Sequence, residues 1–262
     1  MNKIISRKLT NILNNKASGS SEIVQLLNKY FISGEKSKIR ILKDIQLIKS
    51  KLSHFEAVNK YLNGLKISLD GQGTLDNFLR QYTNVHKNKI EIIFNNLFPL
   101  LKQKNKIITL SRSATVLEVL KLLHQKNRKL KVVVCESRPK LEGRLMAKEL
   151  AIFGVATELI TDVMMSLYFP KADAALIGAD MILKNKNVVN KVGSKSLSLL
   201  CNEYKKPFYV VTTKSKASRK SIFKQKRENP EEVLKKSIKK LTVRNIYFEE
   251  VDRKFITKII TD

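Results

Sequence analysis

Residues that commonly anchor cofactors are scarce in this sequence. Its 262 residues include no tryptophan, two cysteines and three histidines. The cysteines, Cys135 and Cys201, are too far apart to form the closely spaced ligand pair of a zinc site, and the histidines are isolated. Neither a Gly-x-Gly-x-x-Gly fingerprint nor a Walker-type lysine loop occurs. We therefore expect no metal ion and no other cofactor.

Long apolar runs are also missing. No stretch approaches the roughly 18 consecutive apolar residues that a membrane-spanning helix needs. Residues 1–16 are polar and basic, without the apolar centre of a signal peptide. These features predict a cytoplasmic protein with no membrane partner.

Acidic residues are few relative to basic ones. The sequence has 23 Asp and Glu against 51 Lys and Arg, a formal net charge of +28, and such a field attracts polyanions. Lysine is spread along every segment together with Asn and Ile, which AT-rich codons encode, so genome composition is the simpler explanation. The densest patch, residues 214–227, has Phe223 as its single aromatic residue and does not predict base stacking. We expect a solvated loop there, and nucleic acid binding is the less favoured alternative.

Two hydrophobic patterns divide the chain. In the first hundred residues, apolar side chains recur every three or four positions, which predicts helices at 22–31, 36–51, 55–65 and 75–101. Beyond residue 102, short apolar runs alternate with helical patterns, as is typical of a parallel sheet covered by helices. Strands are predicted at 107–110, 131–134, 156–160, 174–177 and 207–211, and helices at 114–124, 163–168 and 194–204. The predicted fold class is α/β, with a helical N-terminal domain (1–101) and a Rossmann-like domain (102–262).

Polar residues follow each predicted strand. They form the segments 111–113, 136–139, 161–162, 178–180 and 212–214. Because the carboxyl ends of parallel strands meet at one edge of a sheet, we expect these segments to line a ligand crevice. The charged turn 136–139 is costly to bury alone, so it should face a ligand or a neighbouring subunit.

The turn after the first of these strands is a candidate anion site. Ser111, Arg112 and Ser113 place hydroxyl and N–H groups at the positive end of a helix dipole. Arg112 and Arg138 can add bidentate contacts to a phosphate. Ser113 is also suited to cap the helix, and that alternative stays open.

Two further segments supply candidate ligand contacts. Lys191 follows Asn190 and precedes a second helix start, where it offers another cation. Asp180 ends a buried strand and would suit a sugar hydroxyl, and a turn-capping carboxylate is the alternative. Together with the first turn, these residues predict a phosphorylated sugar or nucleotide as the ligand.

Five motifs occur in the order found in a known protein family. They are Ser-Gly-Ser-Ser-Glu-Ile at 18–23, Thr-Leu-Ser-Arg-Ser-Ala-Thr-Val-Leu at 109–117, Glu-Ser-Arg-Pro at 136–139 with Glu-Gly-Arg at 142–144, Gly-Ala-Asp at 178–180 and Asn-Lys-Val-Gly-Ser at 190–194. The set resembles the alpha, beta and delta subunits of eukaryotic translation initiation factor 2B, whose family includes the ribose-1,5-bisphosphate and methylthioribose-1-phosphate isomerases. Segments 245–249 and 256–261 are similar to the family's closing segment. The resemblance implies a helical N-terminal domain, a Rossmann-like C-terminal domain and dimerisation through the latter.

The resemblance also implies a reactive centre that is altered in this chain. The family's isomerases depend on a cysteine and an aspartate, whose positions correspond here to Ser111 and Asp180. Ser18 and Gly19 stand where those isomerases carry an arginine before the glycine. A serine hydroxyl does not ionise near neutral pH as a thiol can, and no histidine lies near Ser111 in the sequence to activate it. These departures argue against isomerisation by the thiol route, but not against ligand binding.

We therefore expect an initiation factor 2B-like protein that binds a phosphorylated small molecule and forms a homodimer or larger homo-oligomer. The expected ligand contacts are Ser18, Gly19, Ser111, Arg112, Ser113, Arg138, Asn190 and Lys191, with Asp180 and Ser111 at the catalytic positions. Two alternatives stay open. One is a regulatory subunit for translation initiation or guanine-nucleotide exchange, and the other is a sugar-phosphate aldose–ketose isomerase of the ribose-1,5-bisphosphate type that works through Asp180.

Overall fold

The chain divides into two compact units, Met1–Asn88 and Lys89–Asp262. The computed structural model describes residues 6–14, 19–33, 37–52, 56–71, 74–236 and 238–262. The division falls within one long helix that runs from Leu75 to Leu101. The domain boundary expected between residues 101 and 102 stays a prediction.

The first unit is built from amphipathic helices. They are α1 (Arg7–Leu13), α2 (Ser20–Ile32), α3 (Lys38–Leu52), α4 (Glu56–Asp70) and the first part of α5 (Leu75–Leu101). The buried apolar residues of α3 recur every three or four positions, so a single stripe of this helix joins the apolar core of the unit. They are Ile41, Ile45, Ile48 and Leu52.

The second unit contains two sheets. Its strands are β1 (Lys106–Leu110), β2 (Lys131–Cys135), β3 (Ala156–Ile160), β4 (Ala174–Ile177), β5 (Met181–Ile182), β6 (Val188–Lys191), β7 (Phe208–Val211), β8 (Phe248–Val251) and β9 (Lys258–Ile260). Its helices after α5 are α6 (Ala114–Lys126), α7 (Glu142–Phe153), α8 (Met165–Tyr168) and α9 (Ser194–Glu203). Within the described residues, six strands form a parallel sheet in the order β3-β2-β1-β4-β7-β9, and β5-β6-β8 form a smaller antiparallel sheet.

Both faces of the parallel sheet are covered by apolar side chains. Ile107 and Val132 belong to one core cluster, which they share with the last turns of α5 and with α6 and α7. Ile108 and Val133 belong to the opposite cluster, which includes residues of α8 and α9. Burial on both faces explains why these strands read as uninterrupted apolar runs in the sequence.

The α/β fold class is confirmed, and each predicted strand is found within one residue of its expected bounds. Two details differ from the expectation. The helix predicted at 163–168 is a 3₁₀ turn, Asp162–Met164, followed by the single-turn helix α8. The antiparallel sheet and β9 were not predicted, because β5 has only two residues and β6 pairs Val188 with the distant Val251.

The described residues contain neither a metal-binding cluster nor a membrane-spanning helix. No group of three or more His, Cys, Asp or Glu side chains among them is arranged to hold a metal ion. None of the helices in that part of the chain is both long enough and apolar enough to cross a membrane.

Candidate functional site at the carboxyl edge of the parallel sheet

The strand order has a switch point between β1 and β4, where sheets of this kind bind their ligands. From β1 the chain proceeds outward through β2 and β3, and then crosses to the other side of β1 to form β4. At such a switch point the loops after the two central strands run in opposite directions and leave an opening at their carboxyl ends. The segments that follow β1 and β4 are the predicted turns 111–113 and 178–180.

A serine pair ties the ends of β1 and β2 together. The backbone N–H of Ser111 donates to Oγ of Ser137 at 2.6 Å, and this hydroxyl in turn donates to the carbonyl oxygen of Cys135 at 3.0 Å. Ser111 and Ser137 both adopt left-handed backbone conformations, with φ of 62° and 66°. Such conformations are costly for residues with a Cβ, so the hydrogen bonds hold both strands in an abrupt turn at the crevice.

The turn that carries Arg138 is fixed from β3. Asp162, which follows β3, accepts the backbone N–H of Ser137 at 2.8 Å and that of Arg138 at 2.7 Å. The Arg138 residue itself is exposed. Its backbone is thus held in place at the sheet edge while its guanidinium stays open to solvent.

Ser113 brings the turns after β1 and β4 into contact. It is the N-cap of α6, and its Oγ accepts the N–H of Val116 at 3.4 Å, so the capping role left open by the sequence is present. A Cβ built on Gly178 would lie 2.5 Å from that Oγ. Only glycine at 178 allows the two turns to approach this closely.

Arg112 is committed to a neighbouring helix. Its side chain is 8% exposed and its guanidinium forms two hydrogen bonds, of 2.8 and 3.0 Å, to the carboxylate of Glu149 on α7. The Glu149 carboxylate therefore compensates the positive charge that Arg112 was expected to contribute to the anion site. A ligand contact by Arg112 stays a prediction, and the contact would have to share the guanidinium with Glu149.

A cluster of charged residues surrounds Asp180 beyond β4. Lys191 on β6 is almost fully buried, and its Nζ lies 3.0 Å from Oε1 of Glu142 at the start of α7. Asp180 has exposed surface, yet protein atoms crowd the carboxyl and raise its pKa by desolvation, against the opposing charges of Lys216 and Lys191. The raised pKa makes the Asp180 carboxyl more readily protonated than an ordinary aspartate.

The Tyr247 ring contacts two lysine side chains at this edge, and Tyr247 was not predicted from the sequence as a site residue. Nζ of Lys140 lies 4.1 Å, and Nζ of Lys191 5.2 Å, from the centre of the Tyr247 ring. The Tyr247 hydroxyl donates to the Glu232 carboxylate. Burial and this hydrogen bond raise the pKa of Tyr247, and the same hydrogen bond is the main cause of the lowered pKa of Glu232.

The start of α9 already holds a carboxylate from the chain itself. Glu249 on β8 accepts the backbone N–H groups of Gly193 at 2.7 Å and Lys195 at 2.8 Å. Asn190 donates to Oγ of Ser194 at 2.9 Å, inside the same turn. The second helix N-terminus that the sequence suggested near Lys191 is therefore occupied by Glu249, and Asn190 braces it.

The remaining residues to place are Ser18, Gly19 and the two cysteines. Ser18 lies outside the described residues, and Gly19 is the N-cap residue of α2 in the first unit, so their ligand contacts stay predictions. Cys135 and Cys201 are buried, and burial raises the pKa of the Cys135 thiol to about 12. Both thiols behave as small apolar core groups.

Comparison with known proteins decides the family. The family described as "Initiation factor 2 subunit family" matches residues 19–262. The chain belongs to this family. Among curated relatives, it is 36% identical over 167 residues to a translation initiation factor eIF-2B subunit 2-like protein of Pyrococcus horikoshii, covering 62% of this chain and 58% of that protein. It is 32% identical over 171 residues to the ribose 1,5-bisphosphate isomerase of Archaeoglobus fulgidus, covering 62% of this chain and 54% of the isomerase.

Solved structures of the initiation factor 2 subunit family share the fold. The crystal structure of translation initiation factor eIF-2B, subunit delta, from A. fulgidus superimposes with a TM-score of 0.79 at 18% identity, covering 97% of this chain and 85% of that chain. The matched region spans less than two thirds of the length of the two curated relatives. The relatives include both a factor-like protein and an isomerase, so family membership alone does not select the activity.

The charged surroundings of Asp180 make a prediction about stability. Because desolvation raises the pKa of Asp180, the folded protein loses stability as the pH rises through that pKa. We expect Asp180→Asn to raise Tm at neutral pH, and the gain should fade below about pH 4, the ordinary aspartate range, where the wild-type carboxyl is neutral too. Thermal unfolding followed by circular dichroism across this pH range measures the effect.

The matched control is Asp162→Asn. The Asp162 carboxylate accepts two backbone N–H groups, so its loss should lower Tm at neutral pH. A Tm for Asp180→Asn equal to or below that of the wild type at neutral pH would contradict the raised pKa of Asp180.

Proposed function

We propose that the protein binds a phosphorylated sugar or nucleotide in the crevice between β1 and β4, without thiol-dependent isomerisation. The observation that carries this proposal is the buried Lys191–Glu142 ion pair beside Asp180 at the carboxyl ends of the strands. Ionised groups are expensive to remove from water, and their concentration at a switch-point crevice is typical of a ligand site.

Several groups favour a phosphate at the β1 side of the crevice. The 13-residue helix α6 begins directly after the Ser111–Ser113 turn, so its dipole directs positive potential toward the opening. Arg138 extends into solvent from a turn with a fixed backbone, where it can close on an anion. Lys140 and Lys191 add positive charge beside Tyr247.

The other side of the crevice suits a polyhydroxylated group. The Asp180 carboxyl, with its raised pKa, can accept a hydrogen bond from a sugar hydroxyl when ionised and donate one when protonated. One Oε2 atom of Glu142 is buried without a hydrogen-bond partner in the described part of the chain. A ligand hydroxyl reaching this oxygen would satisfy it.

The absence of a thiol at the crevice supports binding without the family's thiol chemistry. The family resemblance implies that Ser111 corresponds to the isomerases' cysteine, and the backbone N–H of Ser111 donates to Oγ of Ser137. The two cysteines of the chain are buried, and burial raises the pKa of each. Neither is therefore a substitute nucleophile.

The binding proposal predicts the effect of Arg138→Ala. Removing a charge-assisted contact to phosphate costs about 1.5–3 kcal/mol, or roughly a ten- to hundredfold loss of affinity. A thermal-shift screen of sugar phosphates and nucleotides would first identify a stabilising ligand, and calorimetry would then measure its affinity for both proteins. Arg128→Ala is the control, because Arg128 is also exposed but precedes β2 at the opposite edge of the sheet. Unchanged affinity in Arg138→Ala places the ligand elsewhere.

Isomerase activity is a second candidate, favoured by the identity to the ribose 1,5-bisphosphate isomerase. We expect the wild type to bind ribose 1,5-bisphosphate without turnover, and Ser111→Cys to gain measurable isomerisation because it restores a thiol at the crevice. Product formation would be followed by nuclear magnetic resonance. The control is Ser111→Cys combined with Asp180→Asn, which should lose the gain. Turnover of ribose 1,5-bisphosphate by the wild type would show that isomerisation does not require a thiol at position 111.

The exposed apolar residues near β3 support the proposed dimer, whereas a role as a subunit of a translation-initiation assembly is favoured by the identity to the eIF-2B subunit 2-like protein. Leu159, Val163 and Leu167 are 49%, 85% and 70% exposed. They lie on the edge strand β3, in the 3₁₀ turn that follows it and on α8, respectively. Neighbouring apolar residues at a sheet edge are typical of an interface between subunits.

The dimer proposal predicts that adding charge to this edge separates the subunits. The double variant Val163→Asp, Leu167→Asp should have a mass near that of the 30.0 kDa chain by light scattering at micromolar concentration, and the wild type about twice that. Ile67→Asp, at a comparably exposed residue of the helical unit, should leave the mass unchanged. A wild-type mass near that of one chain would refute the dimer.

A further inference from the structure

Two segments that are distant in sequence join beside the small sheet. The backbone N–H of Lys184, after β5, donates to the carbonyl oxygen of Lys220 at 2.9 Å, and that of Ser218 donates to Ile182 at 2.8 Å. Ile182 and Ala217 also form an isolated parallel bridge. The turn between β5 and β6 is therefore joined to the loop after β7, which carries the densest basic patch of the sequence.

A surface cavity of about 370 Å³ lies where the two segments meet. We call it the basic groove. Its apolar lining comes from Ile182, Leu183 and Ala217, and its cations are Lys184, Lys186 and Arg219. The three cations are exposed, and no carboxylate in the described ranges forms an ion pair with any of them. A cavity of this size is sufficient for a group as large as a nucleoside.

The segment that supplies Ala217 and Arg219 to the basic groove has a larger fraction of basic residues than the chain as a whole. Residues 214–244, here called the basic segment, contain twelve Lys or Arg and three Glu. Basic residues are thus more than a third of the segment but about a fifth of the whole chain. Glu228 and Glu232 are already engaged, by Lys226 at 3.3 Å and by the Tyr247 hydroxyl. The lysine-rich composition of the whole chain does not by itself explain a segment with twelve basic residues and three acidic ones.

We propose that the basic groove and the basic segment bind the phosphate backbone of a single-stranded nucleic acid. A chain of phosphates presents repeated charge that matches cations distributed along two segments. The apolar lining offers a surface for an unpaired base, which a duplex would keep stacked between its neighbours. The groove has no aromatic lining residue, so the binding is governed by phosphate charge and tolerates any base sequence.

The cations that line the basic groove are distinct from those of the proposed metabolite crevice. The basic groove uses neither Arg138 nor Lys191, and it is lined by the end of β5, the turn after it and the loop after β7. Lys216, within the basic segment, is close enough for its charge to act on Asp180. Because Arg138 belongs neither to the basic groove nor to the basic segment, Arg138→Ala should retain nucleic acid affinity while it weakens metabolite binding.

The test uses a fluorescently labelled oligouridylate and the full chain. The triple variant Lys184→Ala, Lys186→Ala, Arg219→Ala should bind about 50-fold more weakly near 0.15 M salt if each cation contacts one phosphate, because three contacts contribute about 2 units to the salt slope. The matched control is Lys126→Ala, Arg128→Ala, Lys129→Ala, which removes the same charge from exposed residues before β2. It should retain most of the affinity. Circular dichroism confirms that both variants fold.

Three results would overturn the proposal. Equal weakening in both triple variants would mean that net charge alone drives association. Binding of polyglutamate as tight as that of oligouridylate would assign the surface to acidic protein. Tighter binding of a duplex than of a single strand would show that the cavity does not hold an unpaired base. An oligothymidylate of equal length shows whether the ribose hydroxyl contributes, and binding of either strand supports the proposal.

Discussion

The candidate site depends on how the first three strands of the parallel sheet end. A parallel strand continues as long as its backbone stays extended, and a crevice forms only where the chain leaves the sheet abruptly. Here Ser111 and Ser137 leave it in left-handed conformations, held by the hydrogen bond between them and by the Asp162 carboxylate. One hydroxyl and one carboxylate thus determine where the Arg138 turn stands relative to the start of α6.

A buried ion pair connects this edge to the smaller sheet. Lys191 on β6 reaches Glu142 on α7, and both lie near Asp180. Such a pair rarely adds net stability over an apolar pair, whereas removing one partner leaves a costly uncompensated charge. The pair is therefore better explained by a role in the charged environment of the proposed crevice than by a stronger core.

The sequence predicted what depends on local pattern. Apolar runs buried on both faces identified the strands of the parallel sheet except β9, and the polar residues after them identified Ser111, Arg138 and Asp180 as lying at its carboxyl edge. The partners of these residues were not predictable, because they come from distant segments. Arg112 is engaged by Glu149, 37 positions away, and the α9 start is capped by Glu249. No periodicity or motif encodes such pairings, which only the packed structure brings together.

Gly143 gives the crevice a mechanical property. A Cβ at this position would lie 1.8 Å from the carbonyl oxygen of Cys135, so the first turn of α7 packs directly on the backbone at the end of β2. No side chain lies between them to deform. The turn that carries Arg138 therefore joins two elements whose backbones touch, and a side chain added at position 143 would push α7 away from the end of β2. Glu142 and Glu149 lie on the same helix, so such a substitution would also displace the counter-charges of Lys191 and Arg112.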